Sequence, residues 1–371
     1  MSPLEELRAL LRPAGGGLYL VSTGRDEQLA LQRRLYDAST DAEVDARWQE
    51  SLEAVASAEA FVLGVPSDVG AGFRRGANLA PLEIRRTLVD QLPDWPERLR
   101  ARGVVDLGDV FVVPQLLHDD MLSEAQKEAT RAAIYPAIPP AERARLPVAP
   151  LSITERALEL LFAMAPKAKP LILGGDHSVA WPVVSAVSRA RTDRWGIVQP
   201  DAHTDLLAER LGVRYCFATW SYHANELLGR DGRLVQVGIR ASRHDRGHWE
   251  QGLGVRQVWA DEWNRDPAAA IDGVVAHLKS LGVTSVYFSN DIDGTDAAWA
   301  DATGTPEPGG LEPESIIELV RRLGKDIGLL GADLVEVAPC IQDKPDSRAR
   351  TLGLAGRYVR ETLGALLGGP L

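Results

Sequence analysis

A rhythm of short apolar runs, each closing on a small or acidic residue and followed by an amphipathic stretch, most constrains what this chain can become. The runs include Phe61–Gly64, Leu171–Gly174, Trp195–Val198, Leu234–Gly238, Val286–Ser289 and Ile327–Leu330. Between them lie segments of helical periodicity such as Ile153–Ala165, Pro267–Leu281 and Pro313–Leu323. Strands that are apolar throughout must be covered on both faces, and alternation with helices is the mark of a parallel sheet. The expectation is an α/β fold of three layers, α/β/α, around a mostly parallel central sheet. Strand order is left open at this level.

Residues 1–57 precede the first clear strand and are read as an N-terminal extension packing on the core. They contain a possible strand, Leu18–Val21, and helical stretches at Glu27–Tyr36 and Asp41–Ala56. Residues 58–371 are read as one domain. Within it, residues 115–150 form an irregular insertion: a helical stretch near Ser123–Ile134, then Pro136, Pro139, Pro140 and Pro147, a density that breaks regular structure. Ala349–Leu367 reads as a closing helix.

Composition narrows the function. The 371 residues carry 41 Lys+Arg against 52 Asp+Glu, a formal charge of −11, which disfavours nucleic acid and anionic membranes as partners. No apolar run is long enough to span a bilayer, and the N-terminus carries acids where a signal peptide carries bases. Two cysteines, Cys216 and Cys340, make no disulfide framework. A cytoplasmic protein is expected.

Three of the apolar runs end in polar clusters: Gly174-Gly-Asp-His-Ser178, Asp201-Ala-His-Thr-Asp205 and Asp291-Ile-Asp293. In extended chain alternate side chains share a side, so Asp201, His203 and Asp205 can converge, as can Asp291 and Asp293. Ligands of open parallel sheets bind beyond the carboxyl ends of the strands, where all three clusters fall. Four carboxylates packed with two imidazoles repel one another unless cations neutralise them. Four negative charges match two divalent ions, and a carboxylate-rich, thiolate-free set suits a hard ion such as Mn²⁺.

These motifs, in this order, resemble the arginase/agmatinase family, the ureohydrolases. Further matches are Gly64–Asp68 with Arg75-Gly-Ala77, Asp106–Val110, Thr303–Leu311 and Gly331–Pro339, so the resemblance covers about residues 58–370. It implies a binuclear centre of two Mn²⁺ per subunit, with Ni²⁺ as the alternative, in a homotrimer or homohexamer. One ion would take His177, Asp201, Asp205 and Asp291; the other Asp201, His203, Asp291 and Asp293, so that Asp201 and Asp291 bridge. It also implies a hydrolase of linear amidines. Water acidified by the ion pair attacks a guanidino or amidino carbon, Glu336 orients the planar cation, and Asp205 steers the attack. Urea leaves if the substrate is a guanidine.

One departure concerns substrate recognition. Many relatives carry a His-Gly segment after Asp-Ala-His-x-Asp, whereas here Arg214–Trp220 places Cys216 about where that histidine stands. Cys216, His223 and Trp220 are therefore the candidate substrate contacts beside Glu336. The substrate itself is open among agmatine, guanidinobutyrate-type acids and free guanidine. The alternatives are a formimidoyl amino acid hydrolase and a non-catalytic, metal-binding family member.

Overall fold

The computed structural model describes all 371 residues. Nine strands form one sheet: β1 Leu11–Arg12, β2 Ala60–Val65, β3 Val104–Val110, β4 Lys169–Gly174, β5 Trp195–Pro200, β6 Leu234–Ile239, β7 Arg256–Trp259, β8 Ser285–Asp291 and β9 Leu329–Val335. Their order across the sheet is β1-β3-β2-β4-β9-β8-β5-β6-β7. All neighbours run parallel except β1, which lies antiparallel to β3. Strands β2, β4, β5, β6, β8 and β9 are buried almost throughout, as continuous apolar runs require.

Helices Pro150–Met164, Ala180–Ala190 and Trp220–Leu228 pack in series as one layer. Helices Ala80–Gln91, Ser347–Leu367, Pro313–Asp326 and Pro267–Ser280 pack in series as the other. Helix Pro313–Asp326 shows how sequence sets this: proline stands at its first turn, and Ile316, Ile317, Leu319, Val320 and Leu323 make one buried stripe.

The first 57 residues share the main core. Leu7, Leu10 and Leu11 are fully buried in it, Trp48 donates its indole N–H to the Leu107 carbonyl at 2.9 Å, and Glu6 pairs with Arg156. Arg85, itself buried, binds Asp106 and Asp109, and Asp109 accepts the N–H of Gly17. Segment 115–150 carries the exposed helix Glu124–Ile134, while Leu116, Leu117, Tyr135, Leu146 and Val148 join the core.

Two strand expectations need correction. Leu18–Val21 is not a strand: Leu18 makes a single bridge to Val112, and Tyr19 and Val21 face solvent. The strand of this region is Leu11–Arg12, which the sequence hides because it continues the apolar face of helix Pro3–Leu10. The last strand begins at Leu329, not Ile327, since Gly328 at φ +111° completes the turn out of the preceding helix.

The order of the sheet decides where chemistry collects. Its four central strands, β4-β9-β8-β5, are the ones followed by Asp176-His177, Glu336, Ile292-Asp293 and Asp201–Asp205. The chain crosses from β4 to β5 over the place later filled by β8 and β9, and the polar clusters meet at that switch point.

Candidate metal centre

Each ligand candidate is held by a local feature. After β4 the chain turns at Gly175, where a Cβ would lie 1.8 Å from the Ser67 carbonyl oxygen, so only glycine fits. Asp176 then caps the turn His177–Val179 by accepting the Ser178 N–H at 2.8 Å.

The His177 ring is oriented from behind. Its Nε2 lies 3.0 Å from Ser289 Oγ, Ser289 donates to Asp333, and Tyr287 donates to Asp333 Oδ2 at 2.8 Å. Trp220 stacks on the ring with centroids 4.5 Å apart. The Nδ1 atom is thereby turned toward Asp291 Oδ2 at 3.0 Å, Asp201 Oδ2 at 3.3 Å and Asp205 Oδ2 at 3.4 Å. It is buried and makes no hydrogen bond.

A second histidine faces a second carboxylate group. His203 Nδ1 lies 3.1 Å from Asp293 Oδ2 and 3.7 Å from Asp201 Oδ1. The two oxygens of Asp201 therefore address different histidines, which is the geometry of a bridge. Two overlapping sets of metal-competent atoms result, His177/Asp201/Asp205 and Asp201/His203/Asp293. Asp291 lies on the His177 side, its Oδ1 accepting the Asp293 N–H. Asp205 arrives by a different route from simple strand alternation: its backbone is left-handed, φ +52°, in a loop rather than in extended chain.

The electrostatics describe crowding. Burial, with Asp201 adding to it, pushes the Asp205 carboxyl up to about 6. Burial, then Asp293 and Asp201, raise Asp291 well above the carboxylate range. Burial alone would lower His177, but the three carboxylates hold it far above the ordinary imidazole value. Burial opposes His203 as well, yet Asp293 and Asp201 raise it to about 12. Asp201 is held low by the two histidines against the effect of burial. Anions so placed call for positive charge, and divalent cations answer that need. The orphaned Nδ1 of His177, the hard oxygen donors and the shared Asp201 all fit a pair of such ions.

Glu336 follows β9 with a left-handed backbone, φ +62°, anchored by its N–H on the Gly175 carbonyl at 2.8 Å. Its Oε1 accepts the His177 N–H at 2.8 Å, and its Oε2 receives no donor from the protein. Burial, then Asp176, raises its carboxyl well above the usual range. Two of the five non-glycine residues with positive φ thus sit in this cluster, where stored strain is commonly tied to function.

Two of the expected substrate contacts, Trp220 and His223, stand differently. Trp220 is fully buried beside the candidate ligands, its indole N–H donating to Asp205 Oδ2 at 3.1 Å, so it supports Asp205 and does not wall a substrate pocket. His223 lies away from the cluster: its Nε2 meets the Arg214 carbonyl at 3.0 Å, and its ring packs among Trp181, Tyr215 and Tyr222. Cys216 is buried and unpaired, with its N–H on Thr219 Oγ1. Ser289, Asp333, Tyr287 and Thr305, whose hydroxyl donates to Asp293 at 3.0 Å, went unnoticed in the sequence. Their signal was polarity inside otherwise apolar strands or beside a glycine loop.

Comparison with known proteins agrees with this geometry. The sequence profile of the Arginase family matches residues 58–364. The chain is 32% identical over 321 residues to the guanidinobutyrase of Pseudomonas aeruginosa, covering 84% of this chain and 85% of that one. It is 30% identical over 317 residues to the human mitochondrial guanidino acid hydrolase, covering 83% and 78%. Among solved structures, the agmatine ureohydrolase of Thermoplasma volcanium superposes with a TM-score of 0.62 at 26% identity, covering 84% of this chain and 91% of that one. The chain belongs to the arginase family, and it carries two overlapping groups of candidate metal ligands.

Proposed function

We propose that the protein hydrolyses the C–N bond of a guanidino group and releases urea, using two divalent cations, Mn²⁺ by first choice, held by His177, Asp201, His203, Asp205, Asp291 and Asp293. The single observation that carries this is the convergence of His177 Nδ1 and Asp201 with both carboxylate sets at one central sheet edge. When bound, such a cation pair supplies a nucleophile at neutral pH by acidifying a shared water.

The chain's own residues supply orientation and proton handling. Glu336 Oε2, without a protein donor, is available to pair with a guanidinium N–H, while Oε1 stays fixed on the His177 backbone. Gly304 leaves this approach open, since a Cβ there would come within 4.0 Å of Oε2. Asp205 Oδ1 receives no hydrogen bond from the protein and can accept a proton from the attacking water, with Oδ2 held by Trp220. Collapse of the tetrahedral carbon then expels the substituted amine, which takes up that proton.

For the substrate tail the reading is a carboxylate. The loop Gly70–Gly76 reaches the Glu336 side, because Gly304 touches the Arg74 carbonyl as well as Glu336. Gly72 in that loop meets Phe217, and Arg210 lies 4.7 Å over the Phe217 ring. Arg75 spends an N–H on the Val69 carbonyl, and neither it nor Arg210 has a carboxylate partner. The relatives named for guanidino acids support the same choice. The test is urea release from guanidinobutyrate, agmatine and arginine by Mn²⁺-loaded protein. The highest kcat/KM is expected for guanidinobutyrate. A preference for agmatine overturns the tail assignment, and urea from none of the three, with Mn²⁺ or Ni²⁺, overturns the activity.

A further inference from the structure

Three glutamines cross the interior of the sheet in a single row. Gln199 on β5 is in register with Gln236 on β6, and Gln236 with Gln257 on β7. All three are fully buried, positions where an amide is costly unless every polar atom finds a partner. Here they satisfy one another end to end. Trp259 Nε1 donates to Gln257 Oε1 at 2.9 Å, Gln257 Nε2 to Gln236 Oε1 at 2.8 Å, and Gln236 Nε2 to Gln199 Oε1 at 2.9 Å. Gln199 Nε2 then donates to Asp201 Oδ2 at 2.7 Å.

The direction of this row is fixed by its ends. An indole N–H only donates, so Gln257 must present its oxygen to Trp259 and its nitrogen inward. The Thr204 carbonyl only accepts, and it takes Gln236 Nε2 at 2.6 Å, which independently orients the middle amide. Gln236 Nε2 on one side only donates and the Asp201 carboxylate on the other accepts, which orients Gln199, and Ser221 Oγ adds a donor to the same Oε1 at 2.7 Å. Every amide dipole therefore points its N–H end toward Asp201, and chained hydrogen bonds of one sense polarise each other.

We propose that this row is a positioning device for the metal centre. It begins at a half-buried tryptophan on the edge strand and delivers a fixed donor to the carboxylate that both metal sets share. Gln199, Gln236, Gln257 and Trp259 are positioning residues: they hold Asp201 with one oxygen toward His177 and the other toward His203. Freed of Gln199, the carboxylate can rotate and lose the bridging orientation. The effect reaches the centre from two strands away and weakens with each link removed.

This inference rests on the metal-binding reading above. The experiment measures Mn²⁺ affinity of the full-length protein from the free-ion EPR signal, with thermal melting in parallel. Gln199→Met, which keeps length and burial but removes the donor on Asp201, is expected to raise Kd ten- to hundredfold, the range seen when partners of metal ligands are lost, and Gln236→Met, one link further out, to raise it less. Gln257→Met is expected to raise it about two- to fivefold and Trp259→Phe about twofold, a gradient with distance from Asp201. Trp259→Phe, at a half-exposed edge position, keeps the test valid should a buried variant fail to fold. Parent-like Kd in every folded variant, whatever the loss in melting temperature, would reduce the row to a packing feature and overturn the proposal. A parent protein that binds no Mn²⁺ would overturn the metal reading and this inference together.

Discussion

The sharpest single test of the centre is Trp220→Phe. Phenylalanine retains an aromatic ring against His177, where the indole now stacks at 4.5 Å, but it removes the only protein donor on Asp205 Oδ2. Trp220 is fully buried and Asp205 nearly so, so water does not step into the missing bond. A hydrogen bond to an ionised acceptor contributes about 1.5–3 kcal/mol, and 1.4 kcal/mol is tenfold in a binding constant, so the cost is roughly ten- to a hundredfold in affinity. That cost should fall on one ion only. Asp205 belongs to the His177 set alone, whereas the second set is Asp201, His203 and Asp293, the last supported by Thr305, and none of these is hydrogen-bonded to Trp220. Equilibrium dialysis against Mn²⁺ with elemental analysis should therefore show one ion per chain bound as in the parent and one bound far more weakly. Two ions bound as tightly as before, or two weakened equally, would refute the assignment of Asp205 to one set.

Other outcomes follow from the same geometry. Glu336→Gln should keep Mn²⁺ stoichiometry while lowering kcat at least a hundredfold, because the amide cannot offer the guanidinium a charged acceptor; unchanged kcat would remove Glu336 from substrate orientation. Gly175→Ala should give little folded protein, since the added carbon would meet the Ser67 carbonyl, and a parent-like melting curve would contradict this. Saturation with Mn²⁺ at a hundred times Kd should add about 2.7 kcal/mol to folding stability, and melting that does not differ between Mn²⁺ and EDTA would refute a resident ion. Burial holds His118 and His223 below the ordinary imidazole range, so the unfolded chain takes up protons that the folded chain refuses. Their contribution is intact above about pH 6.5 and declines as pH falls below it; urea titrations from pH 7 to 5 should show a shallower decline in His118→Gln than in the parent.

What the sequence revealed about this fold depended on how local the physics was. Apolar runs such as Leu171–Gly174 and Val286–Ser289 advertise buried parallel strands without reference to any other part of the chain, and the structure places strands there. The clusters around His177, Asp201 and Asp291 could be read because each closes a strand, and strand ends share one edge of a parallel sheet. Roles that depend on register were invisible. Ser289 and Asp333 look like isolated polar residues until β8 and β9 are paired and bring them side by side behind His177. Trp220, at the start of a helix, reads in the sequence as a substrate contact, and nothing local announces that its nitrogen meets Asp205 instead. His223 shows the converse: a residue with chemical capacity and the right neighbourhood in sequence, turned by its helix into an aromatic cluster.

The two-residue strand β1 has a consequence out of proportion to its length. Leu11 and Arg12 lie along the outer side of β3, opposite Val110 and Asp109, and close a border that would otherwise present bare peptide groups. The stretch that resembles other family members starts only at residue 58, so a protein trimmed to that point would keep every ligand yet wear a raw selvedge. Unhemmed borders stitch themselves to one another. The opening of this chain thus lies as a tape along the fabric of the sheet, covering a border that would otherwise be free to pair with another.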